Sequence, residues 1–231
     1  MLFRVIRGPP HDAMAVNAST VLLDLDGTLV DSRPGILASC RAALWSLGHE
    51  PIEPMKLEQV IGPPMEQVMQ WLLAPYRDDR VAEAVAAYRT HYGAVGMFSS
   101  TVYAGIPQML DALRSAGRRL FLATSKRTVF ARRILEHREL AGRFDGIYGS
   151  EPDGRLDDKA ALIAHILGEQ ALRAEDCVMV GDRHYDIIGA HANGVRAVGV
   201  LWGYGTRAEL ATAGADWLAD APERVVPADR A

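Results

Sequence analysis

Five apolar runs recur along this chain with helix-like segments between them, and that alternation constrains its fold more than any other feature. The runs are "VLLDLD" (21–26), "RRLFLATS" (118–125), "FDGIYG" (144–149), "CVMVGD" (177–182) and "VRAVGV" (195–200). Continuous apolar stretches of this length suit strands buried on both faces, which is the situation of a parallel sheet covered by helices on each side. A doubly wound, mainly parallel α/β sheet is therefore expected. The connecting helices are readable too. One opens near Pro107 and ends at Gly117, and others run over about 127–138, 158–168 and 184–193, the last stopping at Asn193-Gly194.

Residues 33–100 follow a different rule. "ILASCRAALWSLG", "LEQVIGPPMEQVMQWLLAPY" and "DDRVAEAVAAYRTHYGAVGMF" carry helical rather than strand periodicity, so an inserted α-helical cap is expected between the first and second strands. Its links, Asp31 to Gly35 and "SSTVYAG", are rich in turn residues. The expected division is an N-terminal extension at 1–20, a core of 21–32 and 101–231, and a cap of 33–100.

Composition excludes several classes. The 231 residues are 49 % hydrophobic and 23 % charged with a formal net charge of −4, which gives no global attraction to nucleic acid polymers or to an anionic membrane. No run reaches the roughly 18 apolar residues of a membrane-spanning helix, and the first twenty residues lack the apolar stretch of a secretory signal. Met14 is an alternative start. Cys40 and Cys177 lie far apart and read as apolar fillers, so a reducing, cytoplasmic setting without a structural disulfide is expected.

Polar residues collect at the ends of three strands: Asp24 and Asp26 after the first, Thr124, Ser125 and Lys126 after the second, Gly181 and Asp182 after the fourth. In an open parallel sheet the carboxyl ends of the strands form the ligand crevice, so these groups should converge. Within "GDRHYD" a spacing of four puts Asp182 and Asp186 on one face of a first helical turn. Like charges at about 4 Å repel by ~4 kcal/mol at an effective dielectric of 20, and a divalent cation relieves that repulsion. An all-oxygen set from Asp24, Asp26, Asp182 and Asp186 favours a hard ion, Mg²⁺ first. Thr124, with Ser125 beside it, and Lys159 offer the donors and positive charge that a phosphate dianion requires. Each residue alone has an ordinary explanation: a solvated strand end for Asp24, a turn for Asp26-Gly27, a helix N-cap for Thr124 and Ser125, a solvated lysine for Lys159. Their joint order at strand ends is what points to a phosphate-plus-metal site.

"DLDGT", "ATS", Lys159 and "GDRHYD" together resemble the four motifs of the haloacid dehalogenase superfamily, in order across about 21–200, and "FDGIYGSEPDG" and "VLWGYG" are similar to its phosphoglycolate phosphatase-like and 5′-nucleotidase-like branch. The resemblance implies a Rossmann-like core with a helical cap. It implies Asp24 as nucleophile, Asp26 as general acid and then base with its backbone carbonyl on the metal, Thr124 and Lys159 on the phosphoryl group, and Asp182 with Asp186 on Mg²⁺. Lys126 is an alternative to Lys159. The acid at Asp26 argues against dehalogenation, and leaves a phosphomutase as the enzymatic alternative. A phospho-accepting receiver-type domain uses similar residues, but lacks an insert such as 33–100. The implied partner is a small phosphorylated metabolite, and the chain is expected to act as a monomer or homodimer.

Two further features are expected to bear on substrate choice: the loop Ile61 to Pro64, facing the site or merely joining two helices, and Arg33 near the hinge. His49, His91, His137, His165, His184 and His191 show no ligand spacing and read as packing or surface residues, with His184 set apart because it lies within "GDRHYD". "WGYG" is expected to be a loop whose glycines permit close backbone approach.

Overall fold

A computed structural model describes residues 18–55 and 60–226. The first strand, β1 (Thr20–Leu23), is buried throughout, and a two-residue strand, β2 (Val30–Asp31), follows it. Among the described residues the helices α1 (Arg33–Ser46), α2 (Met65–Leu73) and α3 (Val81–Ala94) come next. The chain returns through β3 (Thr101–Val102) to α4 (Ile106–Ser115), β4 (Arg119–Arg127), α5 (Thr128–His137) and β5 (Gly146–Ser150). It closes with α6 (Lys159–Glu169), β6 (Cys177–Gly181), α7 (His184–His191), β7 (Arg196–Val200), α8 (Arg207–Thr212) and β8 (Trp217–Ala219).

Six strands form one sheet in the order β5-β4-β1-β6-β7-β8, every pairing parallel. Alternate residues of each central strand feed opposite faces, as a period of two requires. Leu22, Phe121 and Met179 join Leu162, Ile166, Ile187 and Leu210 of α6, α7 and α8 in one core. Leu23, Leu122 and Val180 join Met109, Leu113, Ile134 and Leu135 of α4 and α5 in the other. The sheet is thus covered on both faces, as the uninterrupted apolar runs require. The helix punctuation holds as well: Pro107 lies in the first turn of α4, and Asp158 caps α6 by accepting a hydrogen bond from the Ala161 amide at 2.9 Å.

The differences from the sequence reading are local. β4 runs on to Arg127, so Thr124 and Ser125 lie inside the strand, and α5 is preceded by Arg127 with no side-chain cap; the N-cap alternative for the Thr-Ser pair does not occur. The links to the helical segment are not simply turns. β2 and β3 pair antiparallel, Val30 with Val102 and Asp31 with Thr101, so the chain leaves for α1 and returns from α3 side by side. β8, a three-residue edge strand, was not anticipated. The proposed extension and the alternative start at Met14 lie largely outside the described residues; within them Ala18 is already buried and β1 begins at Thr20. No helix among the described residues is long and apolar enough to cross a membrane.

Candidate active site

Because β1 lies between β4 and β6, the polar residues at the carboxyl ends of these three parallel strands meet at one end of the sheet. Asp24 directly follows β1, its amide donating to the Val180 carbonyl of β6 at 3.0 Å, and its side chain is buried. Asp182 follows β6, and Asp186 stands in the first turn of α7, where its Oδ2 accepts from the Arg183 amide at 3.1 Å. Carboxylate oxygens of Asp24, Asp182 and Asp186 lie within 4.8 Å of one another.

One ammonium serves two of these three acids. Lys159, the first residue of α6, donates from Nζ to Asp24 Oδ1 and to the Ala123 carbonyl, and pairs with Asp186 Oδ1, each at 2.8 Å. Burial works against its charge, but Asp186 and Asp24 outweigh that cost and hold the lysine well above its ordinary pKa. Shared in this way, Lys159 does not fully compensate Asp24, whose carboxyl is pushed up to about 6 by burial, against Lys159, with Asp186 and Asp26 adding to the rise.

Asp182 shows the shortfall most clearly. It is fully buried, takes hydrogen bonds from the Tyr204 amide at 2.7 Å and Thr28 Oγ1 at 3.4 Å, and enters none of the ion pairs among the described residues. Burial, then the charges of Asp186 and Asp24, raise its carboxyl well above the usual range. Three buried carboxylates served by one lysine form a hard, all-oxygen donor set with charge to spare, and that fits a divalent ion such as Mg²⁺.

The side chain of Asp26 turns elsewhere. Its Oδ2 pairs with Lys126 Nζ at 2.7 Å and its Oδ1 accepts from Ser32 Oγ, so its carboxylate stands outside the three-acid group. Lys126 in turn donates to the Tyr92 hydroxyl of α3 at 2.8 Å and lies 4.5 Å from the centre of that ring. The two lysines therefore divide the acids: Lys159 serves Asp24 and Asp186, Lys126 serves Asp26. Thr124 is buried, its Oγ1 accepting from the Lys126 amide at 3.3 Å, while Ser125 is exposed.

A cavity of about 270 Å³ opens over these groups. Asp24, Asp26, Thr124, Ser125, Lys159 and Asp186 line it, as does the loop Ile61–Pro64. Arg33 does not: it pairs with Asp31 at 2.6 Å and stacks over Tyr204 instead, because an acid two residues away in the same turn captures it. The "WGYG" loop has the expected close approach. A Cβ on Gly205 would sit 1.9 Å from the Asp182 carbonyl oxygen, and this proximity lets the Tyr204 amide reach the Asp182 carboxylate.

Residues 21–200 match the model of the haloacid dehalogenase-like hydrolase family. The chain belongs to that family. It is 43 % identical to a 5′-nucleotidase of Pseudomonas aeruginosa, over 85 % of this chain and 88 % of that protein. It is 41 % identical to the tyrosine-protein kinase PtkA of Mycobacterium tuberculosis over 80 % of this chain; the match spans 62 % of the kinase, so the kinase's name describes a longer protein. Among solved structures, a "predicted phosphatase" from Clostridium acetobutylicum superposes with a TM-score of 0.81 at 38 % identity, covering 89 % of this chain and 95 % of that one.

In this haloacid dehalogenase-like hydrolase the six histidines among the described residues are engaged away from the site's acids. His49 pairs with Asp78, His191 with Asp216 and His165 with Glu169, His91 bonds Ser39, and His137 packs edge-on against Phe98. His184, for all its position, turns its Nδ1 to Glu209 at 2.7 Å rather than to the acids. Residues to which motif reading assigns no role also shape the site: Tyr92 and Glu209, which lie outside every motif, and Arg183 and Tyr204, which lie within "GDRHYD" and "WGYG". Each acts across a tertiary contact, for which the sequence has no local signal.

The raised carboxyls set a pH dependence. Asp24 has a folded pKa of about 6 against 3.8 unfolded, so its contribution is fully present below the unfolded value and is lost as pH rises through the folded one. That loss is on the order of 3 kcal/mol for a fully buried group. The metal-free protein should therefore melt lower at about pH 7.5 than at about pH 5, and the rise in Tm on adding Mg²⁺ should be larger at the higher pH. Scanning calorimetry with and without Mg²⁺ measures both; a Mg²⁺ effect independent of pH would contradict the assignment.

Proposed function

We propose that this hydrolase is a Mg²⁺-dependent phosphatase that cleaves small phosphate monoesters through an aspartyl-phosphate on Asp24. The observation that carries this reading is the buried Asp24–Lys159–Asp186 assembly with Asp182 beside it, at the carboxyl end of the central strand. Phosphoryl transfer depends on positioning and charge stabilisation, and this assembly offers both. Asp24, Asp182 and Asp186, with the Asp26 carbonyl, would hold Mg²⁺, whose charge neutralises a phosphate dianion.

In the first half-reaction the Asp24 carboxylate forms a bond to phosphorus as the ester P–O bond breaks, and the leaving alkoxide takes the proton of Asp26. In the second, Asp26 takes a proton from water as its oxygen bonds phosphorus, releasing inorganic phosphate and the Asp24 carboxylate. Lys159 fixes Asp24, and Thr124 with neighbouring amides of β4 holds the phosphoryl oxygens. The helical segment 33–100 acts as a cap whose loop Ile61–Pro64 closes one side of the cavity. Replacing Asp26 with Asn should reduce turnover of alkyl phosphates by about 10²–10⁴ while sparing 4-nitrophenyl phosphate, whose leaving group needs no proton; equal loss on both substrates would remove Asp26 from the acid role.

The lining favours a leaving group that carries no second acid. Four of its five cations are already engaged, Lys159 by Asp24 and Asp186, Lys126 by Asp26, Arg89 by Glu66 and Arg183 by Glu209, which leaves Arg127 as the fifth. Tyr88, Tyr92, Phe130, Val60 and Ile61 supply apolar surface, and the cavity, at about 270 Å³, lies just below the ~300–1,000 Å³ of pockets for drug-sized ligands. Nucleoside 5′-monophosphates therefore fit better than phosphoglycolate. A panel of both with Mg²⁺ tests the reading: kcat/KM should favour nucleotides by tenfold or more, about 1.4 kcal/mol. Hydrolysis of none of them, nor of an aryl phosphate, would end the phosphatase proposal. The two cysteines are free and buried, in keeping with a reducing, cytoplasmic setting.

A further inference from the structure

One polar bridge crosses from the helical segment to the metal-side motif. Arg183 stands between Asp182 and Asp186, and its guanidinium forks: Nε donates to Glu209 Oε1 at 2.9 Å while Nη1 donates to the Ile61 carbonyl at 2.6 Å. Ile61 belongs to the loop that walls the cavity, so the bond ties that wall to the element holding the carboxylates. The loop is shaped to receive it. Gly62 has φ +111°, and a Cβ there would lie 2.9 Å from Arg183 Nη1 and 3.4 Å from the Tyr185 ring. Glu209 is anchored in turn: Oε1 also accepts from the His184 amide at 3.0 Å and faces His184 Nδ1 at 2.7 Å.

We propose that Arg183 is a positioning residue that docks the Ile61–Gly62 loop onto the carboxylate motif, and that Glu209 aims it. The planar guanidinium suits this role because it can serve two acceptors in fixed directions, whereas an ammonium is a single point charge. Docking the loop encloses the leaving group without touching phosphorus, so the bridge acts on substrate retention. The kinetic part of this inference rests on the phosphatase reading; the docking itself does not.

The decisive variant is R183K, which retains the positive charge for Glu209 but cannot also span to the Ile61 carbonyl. For nucleoside 5′-monophosphates KM should rise about tenfold with kcat changed less than about twofold, since loss of a charge-assisted bond to the loop weakens retention and leaves the acids intact. The Mg²⁺ concentration for half-maximal activity should not move. Hydrogen–deuterium exchange should accelerate across residues 60–73 and nowhere in β1 or β6. Wild-type KM and exchange in R183K would overturn the proposal, as would a fall in kcat with KM unchanged. If R183K does not fold, E209Q, which keeps the side-chain shape and removes the ion pair, decides by the same exchange measurement. A wild-type protein without phosphatase activity would defeat the functional reading alone, and exchange would still test the docking.

Discussion

Asp24→Asn is expected to abolish turnover while leaving the protein folded and no less stable. On the proposed mechanism the catalytic effect is large because Asp24 receives the phosphoryl unit; removal of a nucleophile from a hydrolase costs on the order of 10⁶ in kcat. The effect on stability should have the opposite sign. Burial and the neighbouring acids already disfavour the charged form of Asp24, so a neutral side chain of the same shape relieves repulsion. Lys159 retains Asp186 and the Ala123 carbonyl as partners. Steady-state kinetics beside thermal melting in metal-free buffer reads both quantities. Residual turnover above about 10⁻² of wild type would move the nucleophile elsewhere.

Lys159→Met should lose activity and stability together. Its ammonium is the cation that compensates both Asp24 and Asp186, and removing one member of a buried ion pair costs about 3–5 kcal/mol because the remaining charges stay unpaired. The loss should grow with pH: without the lysine the acids hold their protons more tightly in the folded than in the unfolded chain, and stability falls as they are forced to ionise. Saturating Mg²⁺ should restore part of it. Lys126→Met, by comparison, unpairs Asp26 alone and should leave the metal response intact. Melting of the two variants across pH distinguishes them, and equal pH dependence would show that the two lysines do not divide the acids.

The strands that build the site were legible because their centres are buried on both faces: "VLL", "LFLA" and "VMV" are uninterrupted apolar runs. β8 was missed because "WLA" is three residues at an edge, too short to show a period, and β2 and β3 are shorter still. The acids were legible as a set for a physical reason, since carboxylates at the ends of buried strands need a purpose. Their partition was not. The spacing of Lys159 from Asp182 favours Lys159 over Lys126 as the lysine of the phosphate site, but that Lys126 pairs with Asp26 instead depends on where β4 and α6 meet the end of β1, which spacing does not give. Arg33 was misplaced because Asp31, two residues away, satisfies it locally. Arg183, inside the motif, drew no attention because its partner Ile61 belongs to the distant helical segment.

The position of β1 has a consequence for how the molecule is made. This strand is synthesised before both of its hydrogen-bonded neighbours, which begin at Arg119 and Cys177, with Thr20 in register with both. Until the second of these has been synthesised, an apolar strand leading into Asp24 waits with at least one open edge. The helical segment has no such wait, since α1 and α3 pack on each other and both precede β4 in the chain. Folding during synthesis should therefore begin in the helices, and the site should assemble late and all at once, when β6 enters beside β1 and brings Asp182 to Asp24.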